Sequence, residues 1–279
     1  MESGKPEKTK FTQEEKHLRS LEAMCLMDDP VFSEALNGKL AAVQDILNTL
    51  LERSDFTVVS TNTQSAHSSA AMRSVRFDIE AHTDSGQVMD IEVQRLSAPS
   101  DAQRARFYSS MIDKGLLEKG DGFEKLPETW VIFIMEGDPY AAGLPMYHID
   151  RMIREMNRTE FHDGAHIIYV NGSFRDALHP VGRLMHDFHC TKADDMFSPL
   201  LAEELRNLKE TEGGRRHMSG IMQQLCDEAA EKAAREARHA ERTKIAGELL
   251  MQGMAPETVA EVTELPLSAV LELAGRKSA

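Results

Sequence analysis

The chain has 279 residues, 41% hydrophobic and 28% charged, with a formal net charge of -14. That profile fits a globular protein with one sizeable core and a smaller module. It excludes a membrane span, since no apolar run approaches the roughly 20 residues required, and it argues against strong non-specific nucleic-acid binding, which rests on Lys and Arg contacts to phosphate.

Residues 1–18 read as a polar tail. The opening MESGKPEKTKFTQEEK has no apolar stretch behind its charges, so no signal peptide is expected and a cytoplasmic location is. Three widely spaced cysteines, Cys25, Cys190 and Cys226, give neither a disulfide framework nor a zinc spacing. From Leu21 to Leu51 apolar residues recur at helical spacing, with Pro30 in a first turn, Asp29 as its N-cap and Asn37-Gly38 dividing two helices. Phe56–Asn62 is β-branched and reads as a strand, and Gln64–Ala71 as a loop.

The stretch from Arg76 to Gln94, RFDIEAHTDSGQVMDIEVQ, is the most informative. Phe77, Ile79 and Ala81 alternate with Asp78 and Glu80. After the turn formers Asp84, Ser85 and Gly86, Ile91 and Val93 alternate with Asp90, Glu92 and Gln94. This is a hairpin with carboxylates on the polar side of each strand. If the polar faces coincide, the crowded acids repel and a divalent cation with oxygen ligands can offset them. A solvated face of an edge hairpin is the other reading. Arg95, Arg104, Arg106, Lys114 and Lys119 follow, either as a phosphate-contacting patch or as solvated helix charges.

Pro99–Leu117 is expected as a helix capped by Ser100, with Ala105, Tyr108, Ile112 and Leu116 on one face. Trp130–Met135 and His166–Val170 are continuous apolar runs typical of strands covered on both faces. Asp150–Met156 is expected as a helix between them. The order implies an α/β fold with a mixed sheet. Pro180–Leu208 is helical in pattern, and His186, His189 and Cys190 near Asp194 and Asp195 fit either a packed helix or a metal cluster. Residues 209–220, with Glu212-Gly213-Gly214, read as a linker. The rest, 221–279, is a helical segment. It opens on an Ala-rich charged helix and ends in short helices spaced like a helix-turn-helix. Its Leu267–Leu273 segment is poor in base-reading side chains, so a packing or dimerising hairpin is the competing reading.

The string FDIEAHTDSGQVMDIEVQ, followed by QRARFYSSMIDKGLLEKGDGFEKLPETWVIFIM, resembles the PD-(D/E)XK nuclease family transposases, also described as recombination-promoting nucleases. The likeness runs from about Asp28 to Leu208, leaving 19–208 as the nuclease-like domain. It implies a restriction-endonuclease-like core, a central mixed sheet flanked by helices, and Mg²⁺- or Mn²⁺-dependent endonuclease cleavage of DNA associated with transposition or recombination. Carried over by position, Asp78 and Glu92 are the motif acids, and with the Val93 carbonyl they would ligate the metal. Gln94 stands where the broader superfamily has lysine and would position the attacking water. Asp29 or Glu34 would add a further acid from the first helix. Arg104 or Arg106, followed by Tyr108, matches the family's Arg and Tyr positions ahead of a hydrophobic strand, and Arg95, Arg104, Arg106 and Tyr108 are DNA-contact candidates. A homodimer is reasonable, since cutting both strands needs two active sites. Two alternatives stay open: a catalytically inactive nuclease-fold interaction protein, favoured by the acidic charge and Gln94, and a DNA-binding regulator acting through the C-terminal helices.

Overall fold

Alternating and continuous apolar runs become strands, and amphipathic runs become the helices laid over them. The computed structural model describes residues 12–67, 75–95 and 101–275. The chain divides into two compact units, Met1–Ser219 and Gly220–Ala279. In the first, helices α1 (Gln13–Ala23), α2 (Asp29–Leu36) and α3 (Leu40–Leu51) lead into strands β1 (Val58–His67), β2 (Val75–Thr83) and β3 (Val88–Gln94). Helix α4 (Asp101–Leu116) precedes β4 (Thr129–Met135). A segment with β5 (Met146–Ile149), β6 (Met152–Ile153) and β7 (Thr159–Glu160) then leads to β8 (Ala165–Asn171). Helices α5 (Pro180–His189) and α6 (Pro199–Lys209) follow, and α7 (Glu212–Met251) begins in this unit and continues in the second.

Six strands form one mixed sheet in the order β1-β2-β3-β4-β8-β5. β1, β2 and β3 are antiparallel neighbours, β3, β4 and β8 are parallel, and β5 runs antiparallel on the far edge. The architecture is that of a restriction-endonuclease-like core, with helices flanking the sheet. On one face, Ala105, Tyr108, Met111 and Ile112 of α4 pack on Phe77, Val88, Val131, Phe133 and Tyr169. The rings of Phe77, Tyr108, Phe133 and Tyr169 run in contact, with successive centroids 5.3, 5.7 and 5.4 Å apart, in the offset and edge arrangements aromatic rings prefer. Residues of opposite parity, Met89, Ile91, Ile132, Ile134, Ile168 and Val170, are fully buried as well. A second helical layer includes Phe32 of α2 against Phe188 of α5, with centroids 5.8 Å apart.

Several expectations are corrected. Gln64–His67 is strand, not loop, because β2 supplies ladder partners such as Ser65↔Phe77 and His67↔Val75; residues 68–71 lie outside the described residues, as does Ser100. Gln13–Leu18 is helical rather than tail, since Thr12 and Glu15 form a capping box. The N-cap of α2 is Asp28, with Asp29 already inside the helix. Asp150–Met156 is not a helix: Met152 and Ile153 pair with Glu160 and Thr159, and only 154–156 makes a 3₁₀ turn, ended by left-handed Asn157. Pro180–Leu208 breaks at 190–198. There the Asp187 carboxylate accepts from the Phe197 and Ser198 N–H groups, both at 2.7 Å, before Ser198 caps α6. Glu212-Gly213-Gly214 is the first turn of α7 instead of an irregular linker. Thr211 Oγ1 accepts from Gly214 N–H, and a Cβ at Gly214 would stand 2.2 Å from the Asn207 carbonyl, so glycine here serves close packing.

In the second unit, α8 (Pro256–Thr263) and α9 (Leu267–Gly275) join the end of α7. Ala246, Val259, Leu265 and Val270 form a small core, edged by Leu249, Leu250 and Leu273. Gly253, at φ +84, makes the turn after α7.

One buried cation ties the helical layer together. Lys209 is 8% exposed, and its ammonium donates to the carbonyls of Glu22, Met24 and Thr191 at 3.1, 2.8 and 2.5 Å. Lys209→Met keeps the volume and strands those acceptors, at about 1–3 kcal/mol for a buried group left unsatisfied. Urea denaturation followed in the first unit should show a loss of about 3 kcal/mol; a loss below about 1 kcal/mol would remove this clamp from the account.

Candidate active site

The acidic hairpin is built at its turn and opened at its far end. Gly86, at φ +85, permits the turn, and Asp84 exchanges bonds with Thr57 at 2.9 and 3.0 Å, fixing the turn beside the start of β1. The β2–β3 ladder runs from His82↔Val88 to Ile79↔Ile91. At the next position the acids take over from the backbone. The Asp78 N–H donates to Glu92 Oε1 at 2.8 Å, and the Val93 N–H donates to Asp78 Oδ2 at 3.1 Å. These reciprocal bonds bring Asp78 and Glu92 together beside the Val93 N–H. The arrangement is held by the groups it presents.

Burial makes the patch electrostatically tense. Asp90 is 0% exposed and, among the described residues, neither of its carboxyl oxygens has a hydrogen-bond partner. Its cross-strand neighbour is Glu80, which is also buried and pairs with His82 Nε2 at 2.8 Å. Burial, then the negative charges of Glu92, Asp78 and Glu80, hold the Asp90 carboxyl well above the usual carboxylate range, with Arg104 opposing. Burial, then Asp78, pushes Glu92 up to about 8, opposed by the Asp78 N–H and Arg104. Desolvation and like charge act in the same direction on both acids.

Arg104 is the counter-ion. From α4 its Nη2 donates to Glu92 Oε2 at 2.9 Å and to the Tyr108 hydroxyl at 3.0 Å, while Nη1 donates to Gln94 Oε1. The guanidinium lies 5.1 Å from the Tyr108 ring centroid and 5.4 Å from that of Phe133. Burial and the charge of Glu92 push the Tyr108 hydroxyl up to about 12, so it remains a neutral prop.

The other expected site residues are elsewhere. Arg95 reaches Asp28 at 2.9 Å and Glu136 at 3.5 Å, and Arg106, Lys114 and Lys119 are exposed. Asp29 accepts from the Ser33 hydroxyl at 3.1 Å, and Glu34 pairs with His217 at 2.7 Å. Near His186, the Asp187 oxygens are taken by backbone N–H groups, and burial pushes the Cys190 thiol up to about 11, which fits a packed helix end. Two features escaped the sequence reading: Arg104 turned inward onto Glu92 and Gln94, and the isolation of Asp90. The signal for the first was present, because Arg104 and Tyr108 are four apart on a helix and share a face. Among the described residues, Asp150, Glu160 and His166, and likewise His186, Asp187 and Cys190, bring potential metal-ligand atoms within 4.8 Å of one another.

Among the described residues no helix is long and apolar enough to cross a membrane. No curated protein and no solved structure matches the chain. The family model of the PD-(D/E)XK nuclease family transposases matches residues 30–173. That span runs from the start of α2 to just past β8 and contains the whole acidic hairpin, Arg104 and Tyr108. The chain belongs to the PD-(D/E)XK nuclease family transposases.

Proposed function

We propose that this chain is a divalent-metal-dependent DNA endonuclease that hydrolyses phosphodiester bonds in transposition or recombination. The observation that carries this reading is the unpartnered Asp90 carboxyl set among Asp78, Glu80 and Glu92, with Arg104 the cation that opposes them at Asp90. A buried charge without a partner is strongly disfavoured. Protons or a cation must make up the difference, and an all-oxygen donor set suits a hard ion such as Mg²⁺ or Mn²⁺.

Asp78 and Glu92, with the Val93 carbonyl, would hold the ion. Asp90 is a better third acid than Asp29 or Glu34, whose carboxylates are already engaged with Ser33 and His217. Bound there, the metal would supply Lewis-acid polarisation of the scissile phosphate and an acidified water. Gln94 cannot act as a base or carry charge, but its amide can orient a water by hydrogen bonding. Arg104 supplies next to Gln94 the positive charge that a lysine would otherwise bring. Its fork holds Glu92 and Gln94 at fixed spacing, and Tyr108 holds the fork. A homodimer would provide the second active site for cutting both strands.

Purified protein with Mg²⁺ or Mn²⁺ is expected to nick plasmid DNA, and EDTA to stop it. Asp78→Ala and Glu92→Ala should each lower the rate by more than about 100-fold, and Arg104→Ala by about 10- to 100-fold with partial recovery in Arg104→Lys. A folded wild type that neither cleaves DNA nor is stabilised by Mn²⁺ would favour the non-catalytic interaction protein instead.

The raised Glu92 pKa gives a second, activity-free check. Its folded value, about 8, lies above the free value of 4.5. The folded state therefore holds a proton that the unfolded state releases, and this contribution to stability is full below about pH 4.5 and lost as pH rises toward about 8. In urea denaturation with EDTA, wild type should lose stability relative to Glu92→Gln across that window. Added Mn²⁺ should stabilise wild type more at the alkaline end, where it no longer competes with the proton. Parallel curves for the two proteins would count against the shift.

A further inference from the structure

A second cluster of metal-binding chemistry lies at the other end of the parallel strands. His166 is the second residue of β8 and is in register with Trp130, whereas Glu92 is in register with Phe133, three residues further along β4. His166 Nδ1 is 2.7 Å from Asp150 Oδ1, and Glu160 on β7 completes a trio whose ligand atoms lie within 4.8 Å of one another. The other ring nitrogen, Nε2, is 3.2 Å from Glu128 Oε1. The Trp130 ring stacks on the imidazole, with centroids 4.1 Å apart at 23°.

Groups behind the trio are already ordered. Gln87 Nε2 donates to Glu128 Oε2, so Gln87, Glu128 and His166 form a chain of contacts. Gln87 is only 8% exposed, and its Oε1 is buried with no partner among the described residues. The Trp130 indole nitrogen is likewise buried and unpartnered among them. Buried polar groups are nearly always satisfied, and Gln87 reaches the trio through Glu128, which contacts the His166 imidazole.

We propose that Asp150, Glu160 and His166 bind a divalent transition-metal ion of the zinc class, at a site separate from Asp78 and Glu92. One imidazole with two carboxylates suits zinc, which accepts nitrogen and oxygen ligands in small coordination numbers. His166 would ligate through Nδ1 and donate its Nε2–H to Glu128. A carboxylate partner of that kind fixes the tautomer and ring orientation of a ligating histidine. The site has a structural use. β6 and β7 are two residues each and form a sheet of their own, and an isolated two-stranded ribbon is marginal at best. The loop between β6 and β8 also holds Asn157, Arg158 and His162 at φ +54, +58 and +54, conformations that non-glycine residues rarely adopt. An ion joining the end of β5, β7 and β8 would fasten this segment to the main sheet. Of the basic side chains nearby, Arg53 lies 3.7 Å from Glu128, Arg151 is paired with Asp163, and His162 lies 3.7 Å from Glu160.

The test is metal binding by the full chain, with no nuclease readout. Equilibrium dialysis of metal-stripped protein against Zn²⁺ in excess Mg²⁺, which keeps zinc from the Asp78–Glu92 site, with thermal unfolding in parallel, should show one equivalent of zinc bound and a rise in Tm for wild type. Asp78→Ala with Glu92→Ala should leave both unchanged. Glu160→Gln, at a half-exposed position that need not disturb folding, and Asp150→Asn should abolish the Tm rise. Glu128→Gln should weaken binding about 10- to 100-fold without changing the stoichiometry. Binding that survives in Glu160→Gln and Asp150→Asn, or that disappears with Asp78 and Glu92, would overturn the site. So would a wild type that binds no Zn²⁺.

Discussion

The structure turns on a charge imbalance held between two strands. Asp78, Glu80, Asp90 and Glu92 lie close enough for the other three to raise Asp90, and the opposing cation there is Arg104. Water cannot relieve this, because Asp90 and Glu92 are 0% and 1% exposed. Such a patch lowers the stability of the fold. Burial of like charges is costly in proportion to the missing solvent, and residues that stay buried under those terms are characteristic of catalytic centres. The backbone makes the patch possible. Where the β2–β3 ladder ends, the acids accept N–H groups from the opposite strand, so the two side chains cannot drift apart to lower their repulsion.

The rest of the first unit reads as support for that junction. β4 has buried residues on both faces and pairs in parallel on either side, which holds β3 from behind. Helix α4 crosses the same face with Ala105 and Tyr108 buried against the core. That packing fixes the height at which Arg104 meets Glu92 and Gln94. Anchoring a guanidinium between two aromatic rings leaves it little freedom, and a pre-ordered cation pays less entropy per bond than a flexible lysine. On the proposed reading, Gln94 on β3 leaves the positive charge to Arg104 on the helix, with the amide left to hydrogen-bond.

How much of this was legible in the sequence depended on how local the signal was. The strands at Phe77–Ala81, Asp90–Gln94 and Trp130–Met135 follow from side-chain alternation or continuous burial, both written in consecutive residues. The joining of Asp78 with Glu92 follows from the hairpin plus the family resemblance. Failures occurred where non-local partners decided the outcome. Gln64–His67 has no strand-forming composition and becomes β1 because β2 offers it ladder partners. Asp150–Met156 has helical spacing, yet Met152 and Ile153 find Glu160 and Thr159 instead. Gly213 and Gly214 read as a break, but a helix start tolerates glycine and the close approach to Asn207 demands it. Arg104 read as a DNA contact because its charge is visible in the sequence and its inward direction is not.

The two clusters also differ in a way that bears on metal selection. Asp78 and Glu92 offer oxygen alone, and the proton on Glu92 must leave before an ion can enter, whereas the His166 cluster offers an imidazole backed by Glu128. Zinc outcompetes magnesium at most mixed nitrogen and oxygen sites, and magnesium is favoured where the donors are hard and water is retained. A chain carrying both donor sets at opposite ends of one sheet can therefore sort ions by chemistry. On the proposed readings, a tightly held ion stapling β7 to β8 would stay in place while a weakly held one at Asp78 and Glu92 exchanges with solution and substrate. On those readings the division would keep the His166 imidazole, which would attract the wrong ion, away from Asp78 and Glu92.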